Sequence, residues 1–483
     1  MKVNLMPKTK GEHQKVSKNN NSVARFVAIL VAAAFFMENL DATVIATALP
    51  QMGETFATDP VNINVGMSAY MLTLGVFIPA SGWLTDRFGS RAMFSLAVFV
   101  FTLASFLCGL SPNLTVFILA RILQGIGGAL MVPVGRLVVL RETPKNKLVE
   151  TIALLTWPGL VAPILGPPLG GFIAQYFHWS IIFFLNIPLG LIILLLSLKI
   201  FPDEKLKTSR SFDLMGFLLT GIGLATLLFA AEKVGDSHGL SALVMACFII
   251  GVTLLLWSIF HLKRAEAPLV SLTALSYQTF AVSIYGGTAF RMTTNAVLFI
   301  LPLMAQLAMG FSPTEAGFLL MPIFIGTLAI KPFTTPLLRY FGFKRTLVVN
   351  CLFNALFLAL FGTFSRDMPL SVMVGISVLS GVFRSIQFTA LNTIAFADIP
   401  DDEMNGANTL FSTVFQLGIG LGIALGAISL RAGVALTGVE LETSIEPFKI
   451  ALYLVAFISL LPLWGLMRLK QGAGDLVAGH VKS

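Results

Sequence analysis

The stretch Phe26–Leu49, FVAILVAAAFFMENLDATVIATAL, decides the fold. It is long and apolar enough to cross a bilayer core of about 30 Å as a helix. Yet it carries Glu38 and, three residues on, Asp41. Insertion scales put an Asp at the centre of a span at about 2.5–3.5 kcal/mol. A chain tolerates that cost where the acid faces a wet cavity and handles a proton or a cation.

The rest of the chain repeats the pattern. Its 483 residues are 56% hydrophobic and only 12% charged, with a mean hydropathy of +0.86, where a soluble domain carries about 25% charged residues. The 41 phenylalanines against 6 tyrosines mean that most aromatic rings lack a polar group, as lipid and apolar cavities favour. Apolar runs of span length predict fourteen helices, near 26–49, 65–85, 92–111, 114–134, 149–176, 180–200, 212–231, 240–261, 277–303, 315–338, 346–364, 369–396, 406–430 and 448–468. The fold class is therefore all-α integral membrane.

Charge fixes the orientation. With the N-terminus inside, 24 of the 32 Lys and Arg residues fall in cytoplasmic segments, 4 outside and 4 within spans. The positive-inside rule then places both termini in the cytoplasm. The formal charge of +8 is scattered over loop anchors and forms no single basic face, which excludes nucleic acid as a partner. Residues 1–25 read as a polar, disordered tail rather than a cleavable signal, since the apolar run behind them is span-length and acidic. Cys108, Cys247 and Cys351 lie in apolar runs. Neither disulfides nor a metal site follow from their spacing.

An internal echo divides the chain. The turn after the second span reads Asp86-Arg87-Phe88-Gly89-Ser90-Arg91, and the turn after the tenth reads Tyr340-Phe341-Gly342-Phe343-Lys344-Arg345. A transporter built from two related bundles shows such repeats. The domains read as a tail at 1–25, a six-helix bundle at 26–201, two inserted helices and linkers at 202–276, a second six-helix bundle at 277–470 and a tail at 471–483.

Four motifs carry a family resemblance. They are Gly82-Trp-Leu-Thr-Asp86-Arg87-Phe-Gly89-Ser-Arg91, Arg121-Ile-Leu-Gln124-Gly125-Ile-Gly127, Gly166-Pro167-Pro168-Leu-Gly170-Gly171 and Leu40-Asp41-Ala-Thr43-Val-Ile-Ala-Thr-Ala-Leu49-Pro50. In this order, at these spans, the chain resembles the major facilitator superfamily, of the 14-helix drug:proton antiporter type. That resemblance implies a major facilitator fold of two six-helix bundles plus two inserted central helices. It also implies a conformational latch at Gly82, Asp86, Arg87, Gly89 and Arg91, where the bland alternative is a turn with membrane-surface anchors.

Arg121 and Asp41 lie about 10–12 Å below the outer ends of their spans, by the rise of ~1.5 Å per residue. They can share one cavity. Arg121 then either modulates protonation of Asp41 or Glu38 or forms a static buried pair. Glu38 adds cation affinity, adds a second proton, or is an acid satisfied by a neighbouring hydroxyl. In the fifth span, Pro163 and Pro167 with Gly166, Gly170 and Gly171 fit a hinge or gate, and equally ordinary close packing. Arg291, Lys331 and Arg384 are intramembrane cations with no acid deep in the same spans. Arg291, Arg384, Gln124 and Gln387 join Glu38 and Asp41 as candidate cavity residues.

No Gly-x-x-x-x-Gly-Lys-Ser/Thr loop and no metal-ligand spacing occurs, so neither an ATP-driven pump nor an enzyme is expected. The reading is a secondary transporter of the bacterial inner membrane. It would export amphipathic drugs or toxic organic compounds by alternating access, with protons from outside taken up at Asp41, alone or with Glu38, beside Arg121, the proton-motive force as energy source and no cofactor. Its partners are the lipid bilayer, protons and a small amphipathic substrate, with a periplasmic adaptor protein left open. One alternative is a proton-coupled exporter of an organic anion or metabolite such as a siderophore. Another is a non-transporting membrane sensor or scaffold.

Overall fold

A computed structural model describes residues 10–58, 60–201, 211–235, 241–441 and 443–478. Among them every regular element is helical. The first bundle holds α1 (Lys10–Val44), α2 (Ile63–Phe88), α3 (Ser90–Gly109), α4 (Leu114–Glu142), α5 (Leu148–Tyr176) and α6 (Ser180–Ile200). The inserted pair is α7 (Leu214–Gly235) and α8 (Ala242–Arg264). The second bundle holds α9 (Gln278–Leu303), α10 (313–341), α11 (343–361), α12 (Leu370–Ile394), α13 (Met404–Thr437) and α14 (Glu446–Met467). Fourteen spans result.

The expected tail is partly helical: α1 begins at Lys10, and residues 1–9 lie outside the described part. Lys, Glu and Gln at its start are adequate helix formers. The linker residues 202–210 and 236–240 and the end of the tail, 479–483, also lie outside it.

The echo in sequence is an echo in backbone. Gly89 joins α2 to α3 at φ 86°, ψ 152°, and Gly342 joins α10 to α11 at φ 72°, ψ 166°. Only glycine visits this region readily. Both turns lie on the face that also carries Arg25, called here the basic face.

Packing shows where the bundles meet. One apolar core fills the half of the first bundle nearer the basic face, with Val31, Phe94, Phe101 and Val134, and the bundle's other half packs around Val44, Phe117 and Phe183. Another serves the far end of the second, around Ile300, Phe361 and Leu452. A third core crosses between the bundles, bringing Leu137, Leu148 and Ile152 against Leu338, Leu391, Ile394 and Met404. These residues sit toward the basic face, so that end is closed by apolar contact. The inserted helix α7 covers one seam: Leu228 abuts both Gly75 of α2 and Gly420 of α13.

Two local departures matter for the site. The helix α4 continues through Pro133 to Glu142, so Arg136 is a helical residue in the bundle and not a loop anchor. The helix α5 is unbroken from Leu148 to Tyr176, although it carries several prolines that would loosen its hydrogen bonding.

Candidate functional site

A cavity of about 220 Å³ lies between the bundles. Its wall includes Glu38 of α1, Tyr70 of α2, Arg136 of α4, Thr156 of α5, and Ser412 and Phe415 of α13. Glu38 Oε2 and the Tyr70 hydroxyl are buried without a hydrogen-bond partner. Both approach Gly128, where an added Cβ would stand 3.2 Å from the Tyr70 oxygen and 3.8 Å from Glu38 Cδ. Glycine there leaves room for the acid and the phenol to face one space. Arg136 supplies the opposite charge: it shares the wall with Glu38, and its guanidinium lies over the rings of Phe35, Phe411 and Phe415 at 5.7, 5.2 and 5.7 Å. Aromatic faces hold a cation in place without neutralising it.

Asp41 sits behind this wall. Three residues along a helix turn a side chain by about 60°, and that rotation aims Asp41 into the first bundle. Its Oδ2 accepts from Arg121 Nη1 at 2.6 Å. Its Oδ1 accepts from Gln124 Nε2 at 2.9 Å and from Asn186 Nδ2 at 2.8 Å. Both amides also reach Ser105 Oγ, at 2.8 and 3.2 Å. Arg121 donates in addition to Gln124 Oε1 at 2.6 Å. Asp41 is 2% exposed and Arg121 1%. Charge-assisted bonds of this length are the strong kind. The equal depths of Asp41 and Arg121 expected from sequence thus become a direct ion pair, inside a closed polar cluster. Tyr70 separates cluster from cavity: Arg121 lies over its ring at 4.5 Å, while its hydroxyl faces Glu38.

The placements differ from the expected set. Of the six candidate cavity residues, Glu38 lines this cavity. Asp41 and Gln124 belong to the cluster behind it. Arg291 is buried with its guanidinium over Phe411 and Phe415, at 5.0 and 4.4 Å. Its Nη2 reaches Asn392 Oδ1 at 3.4 Å, and its Nε and Nη1 have no partner. Arg384 lies 5.6 Å from the Phe324 ring, and Gln387 Oε1 accepts from Asn350 Nδ2 at 3.1 Å. Aromatic and amide neighbours hold these side chains off the wall. Tyr70, Arg136 and Asn186 are the functional side chains that sequence reasoning missed.

The 82–91 segment does join the bundles. Gly82 accepts at its carbonyl from Asn405 Nδ2, 2.9 Å, and a Cβ there would stand 2.3 Å from Thr409 Oγ1. Further bonds cross beside it: Asn408 Nδ2 to Pro133 O at 2.8 Å, Arg136 Nη1 to Ser412 Oγ at 3.3 Å and Lys145 Nζ to Ile399 O at 3.5 Å. Arg136 and Ser412 also line the cavity, so these bonds form its floor. Asp86 shares a pocket with Glu403 and Asn405 of the second bundle. Arg91 acts within its own bundle, donating from Nε to the Phe201 carbonyl at 2.7 Å, where the end of α6 favours a cation. Arg87 forms no ion pair among the described residues.

In α5, small residues meet α1. A Cβ on Gly166 would stand 2.3 Å from Thr43 Oγ1, and one on Gly170 2.4 Å from the Val44 carbonyl. Gly171 has open space around it, so it has no share in that contact. Pro163 lies on the same unbroken helix; the Pro167 side chain is outside the described part.

The sequence profile of the Major Facilitator Superfamily matches residues 31–423 and, in a second match, 284–470. The chain belongs to the Major Facilitator Superfamily. It is 35% identical over 451 residues to the "Putative multidrug resistance protein MdtD" of Escherichia coli (strain SMS-3-5 / SECEC), covering 93% of this chain and 95% of that protein. The same holds for the relative of that name from Shigella flexneri. Among solved structures, the human organic anion transporter MFSD10 superposes with a TM-score of 0.68 at 14% identity, over 92% of this chain and 99% of that one. A double Trp mutant of XylE superposes with a TM-score of 0.65 at 14% identity, over 96% and 99%. These two show the superfamily fold. The protein is thus a multi-pass membrane transporter of two six-helix bundles with an inserted helical pair.

Proposed function

We propose that the protein is a proton-coupled exporter of amphipathic organic compounds, with Glu38 as the acid that exchanges the proton. One observation carries the reading: Glu38 and Tyr70 present unpartnered polar atoms to the cavity between the bundles, whereas the Asp41 carboxylate is saturated by three donors. Proton exchange needs an acid that a water-filled path can reach. Asp41 and Arg121 then brace α1, and the coupling role expected for Asp41 passes to Glu38, with Arg136 as its counter-charge.

The basic face is taken as cytoplasmic and the membrane as the bacterial inner one. The cavity is closed toward that face by the Gly82–Asn405 region. Its 220 Å³ is below the 300–1,000 Å³ of pockets for drug-sized ligands, so substrate enters after the bundles part. A proton from outside neutralises Glu38, leaves the Arg136 charge unopposed across the cavity and weakens the hold on a cationic group. Each charge moved inward yields about 2.3 kcal/mol per 100 mV. The names of the MdtD relatives support drug efflux, and the Phe-lined wall suits ligands bound by area rather than by fixed hydrogen bonds.

A second cargo has one observation in its favour. Arg291 is buried with two unpartnered nitrogens, which fits an organic anion. Flux into proteoliposomes separates the two. Cation export predicts proton-driven transport of a cationic dye that Glu38→Gln abolishes and Arg291→Met spares; anion export predicts transport of an anionic dye that Arg291→Met abolishes.

A further inference from the structure

A second and larger space lies away from the central cavity. It is a groove of about 1010 Å³ on the seam between α1 and α5 of the first bundle and α10 of the second. The residues along it occupy the halves of these helices nearest the basic face. Its mouth carries Arg25, Thr143 and Lys147, and its rim carries Trp157 and Ile325. Trp157 is 48% exposed and Ile325 53%, in a stretch where the helices are otherwise apolar. The groove therefore opens sideways, toward lipid.

Its charge is unbalanced. Arg25, Lys147 and Lys331 face one acid, Glu150. Lys331 forms the inner wall and is 6% exposed. Its Nζ donates to Thr156 Oγ1 at 3.1 Å and to Thr389 Oγ1 at 2.9 Å, and lies 5.9 Å from the Phe388 ring. An ammonium has three protons to donate, and neither hydroxyl offsets its charge. Buried charge without a counter-ion is costly. At the mouth, Thr143 Oγ1 is buried and has no hydrogen-bond partner. A cationic groove with an idle hydroxyl and an exposed indole at its rim matches an anionic headgroup with apolar chains attached. Tryptophan favours that headgroup level, and basic residues attract anionic lipid there.

We infer that this groove is a binding site for a phospholipid of net negative charge. Its phosphate is held between Arg25, Lys147 and the Thr143 hydroxyl, its chains lie along Leu154, Trp157 and Ile325, and Lys331 biases the whole groove toward anions. The site is separate from the transport cavity. Thr156 lines the cavity and Lys331 the groove, so the Lys331–Thr156 bond stands between the two spaces. The inference goes beyond the export reading and does not require it, because its test involves no transport.

The test uses the full-length protein in detergent micelles, titrated with phosphatidylglycerol or phosphatidylcholine bearing brominated acyl chains. Bromine quenches tryptophan on contact. The Trp157 signal is the difference between wild type and Trp157→Phe, since the chain has 5 tryptophans. Phosphatidylglycerol is expected to quench that signal at lower concentration than phosphatidylcholine. Each of Arg25→Gln and Lys147→Gln should cut the preference roughly fivefold, while Lys449→Gln on the opposite face leaves it intact. Equal quenching by both lipids overturns the inference, as does a preference that survives the double variant. Displacement of the lipid by millimolar inorganic phosphate also overturns it, because the site would then take a free anion.

Discussion

The two bundles share a backbone plan and treat charge in opposite ways. In the first, Asp41 and Arg121 neutralise each other within a cluster that also engages Gln124, Asn186 and Ser105. In the second, Arg291 and Lys331 are buried against rings, amides and hydroxyls, and no carboxylate stands among their described partners. A satisfied pair fixes packing. A buried cation without a counter-ion costs stability. On the proposed reading the first bundle braces and titrates, while the second holds buried positive charge that its described residues do not match.

The comparison breaks most visibly at Arg121. Arg121→Met strands a buried carboxylate and should lower stability by about 3–5 kcal/mol, read as a large fall in the thermal midpoint of the detergent-solubilised protein. Adding Asp41→Asn should recover most of it. Next is Asn186→Leu, which removes one donor from a charged acceptor and should cost about 1.5–3 kcal/mol. In the other bundle Asn392→Leu removes only a long, 3.4 Å bond from Arg291 and should cost less, about 1.5 kcal/mol at most. If the two losses are equal, the contrast between bundles is wrong. The turns sharpen the parallel side. Gly89→Ala and Gly342→Ala should each cost about 1–3 kcal/mol, since both force a side chain into a region that glycine alone occupies readily. The smallest effect belongs to Arg291→Met, which should leave the midpoint unchanged or raise it, because it removes a charge with no partner. A fall like that of Arg121→Met would mean that Arg291 has an acid in the folded protein.

Most of the architecture was legible in the sequence because a bilayer leaves few choices. Apolar runs of span length had to be helices, and the Gly89 and Gly342 turns announced the repeat through their shared Phe-Gly and flanking basic residues. The depth argument also brought Arg121 to Asp41. What failed was direction. Spacing sets the angle between Glu38 and Asp41 but cannot say which of them faces the gap, and that depends on where α2, α4 and α6 pack. Arg136 was hidden because Pro133 and the nearby basic residues read as a helix end, whereas α4 runs on to Glu142. Tyr70 gave no signal, and Asn186 stood out only as part of the run Phe183–Gly190 after Trp179, which resembles the 14-helix group, since one tyrosine or asparagine in an apolar run more often ties helices together than serves a site. Of the rings that place Arg136, Phe411 and Phe415 are remote in sequence and meet it only across the seam.

The most direct test is substrate-induced proton release from the purified protein, comparing wild type with Glu38→Gln and Asp41→Asn. A cavity-facing coupling acid predicts that release vanishes in Glu38→Gln and persists in an Asp41→Asn protein that still folds. Full release from Glu38→Gln, with loss in the folded Asp41→Asn protein, would return the coupling role to the buried pair and contradict the assignment.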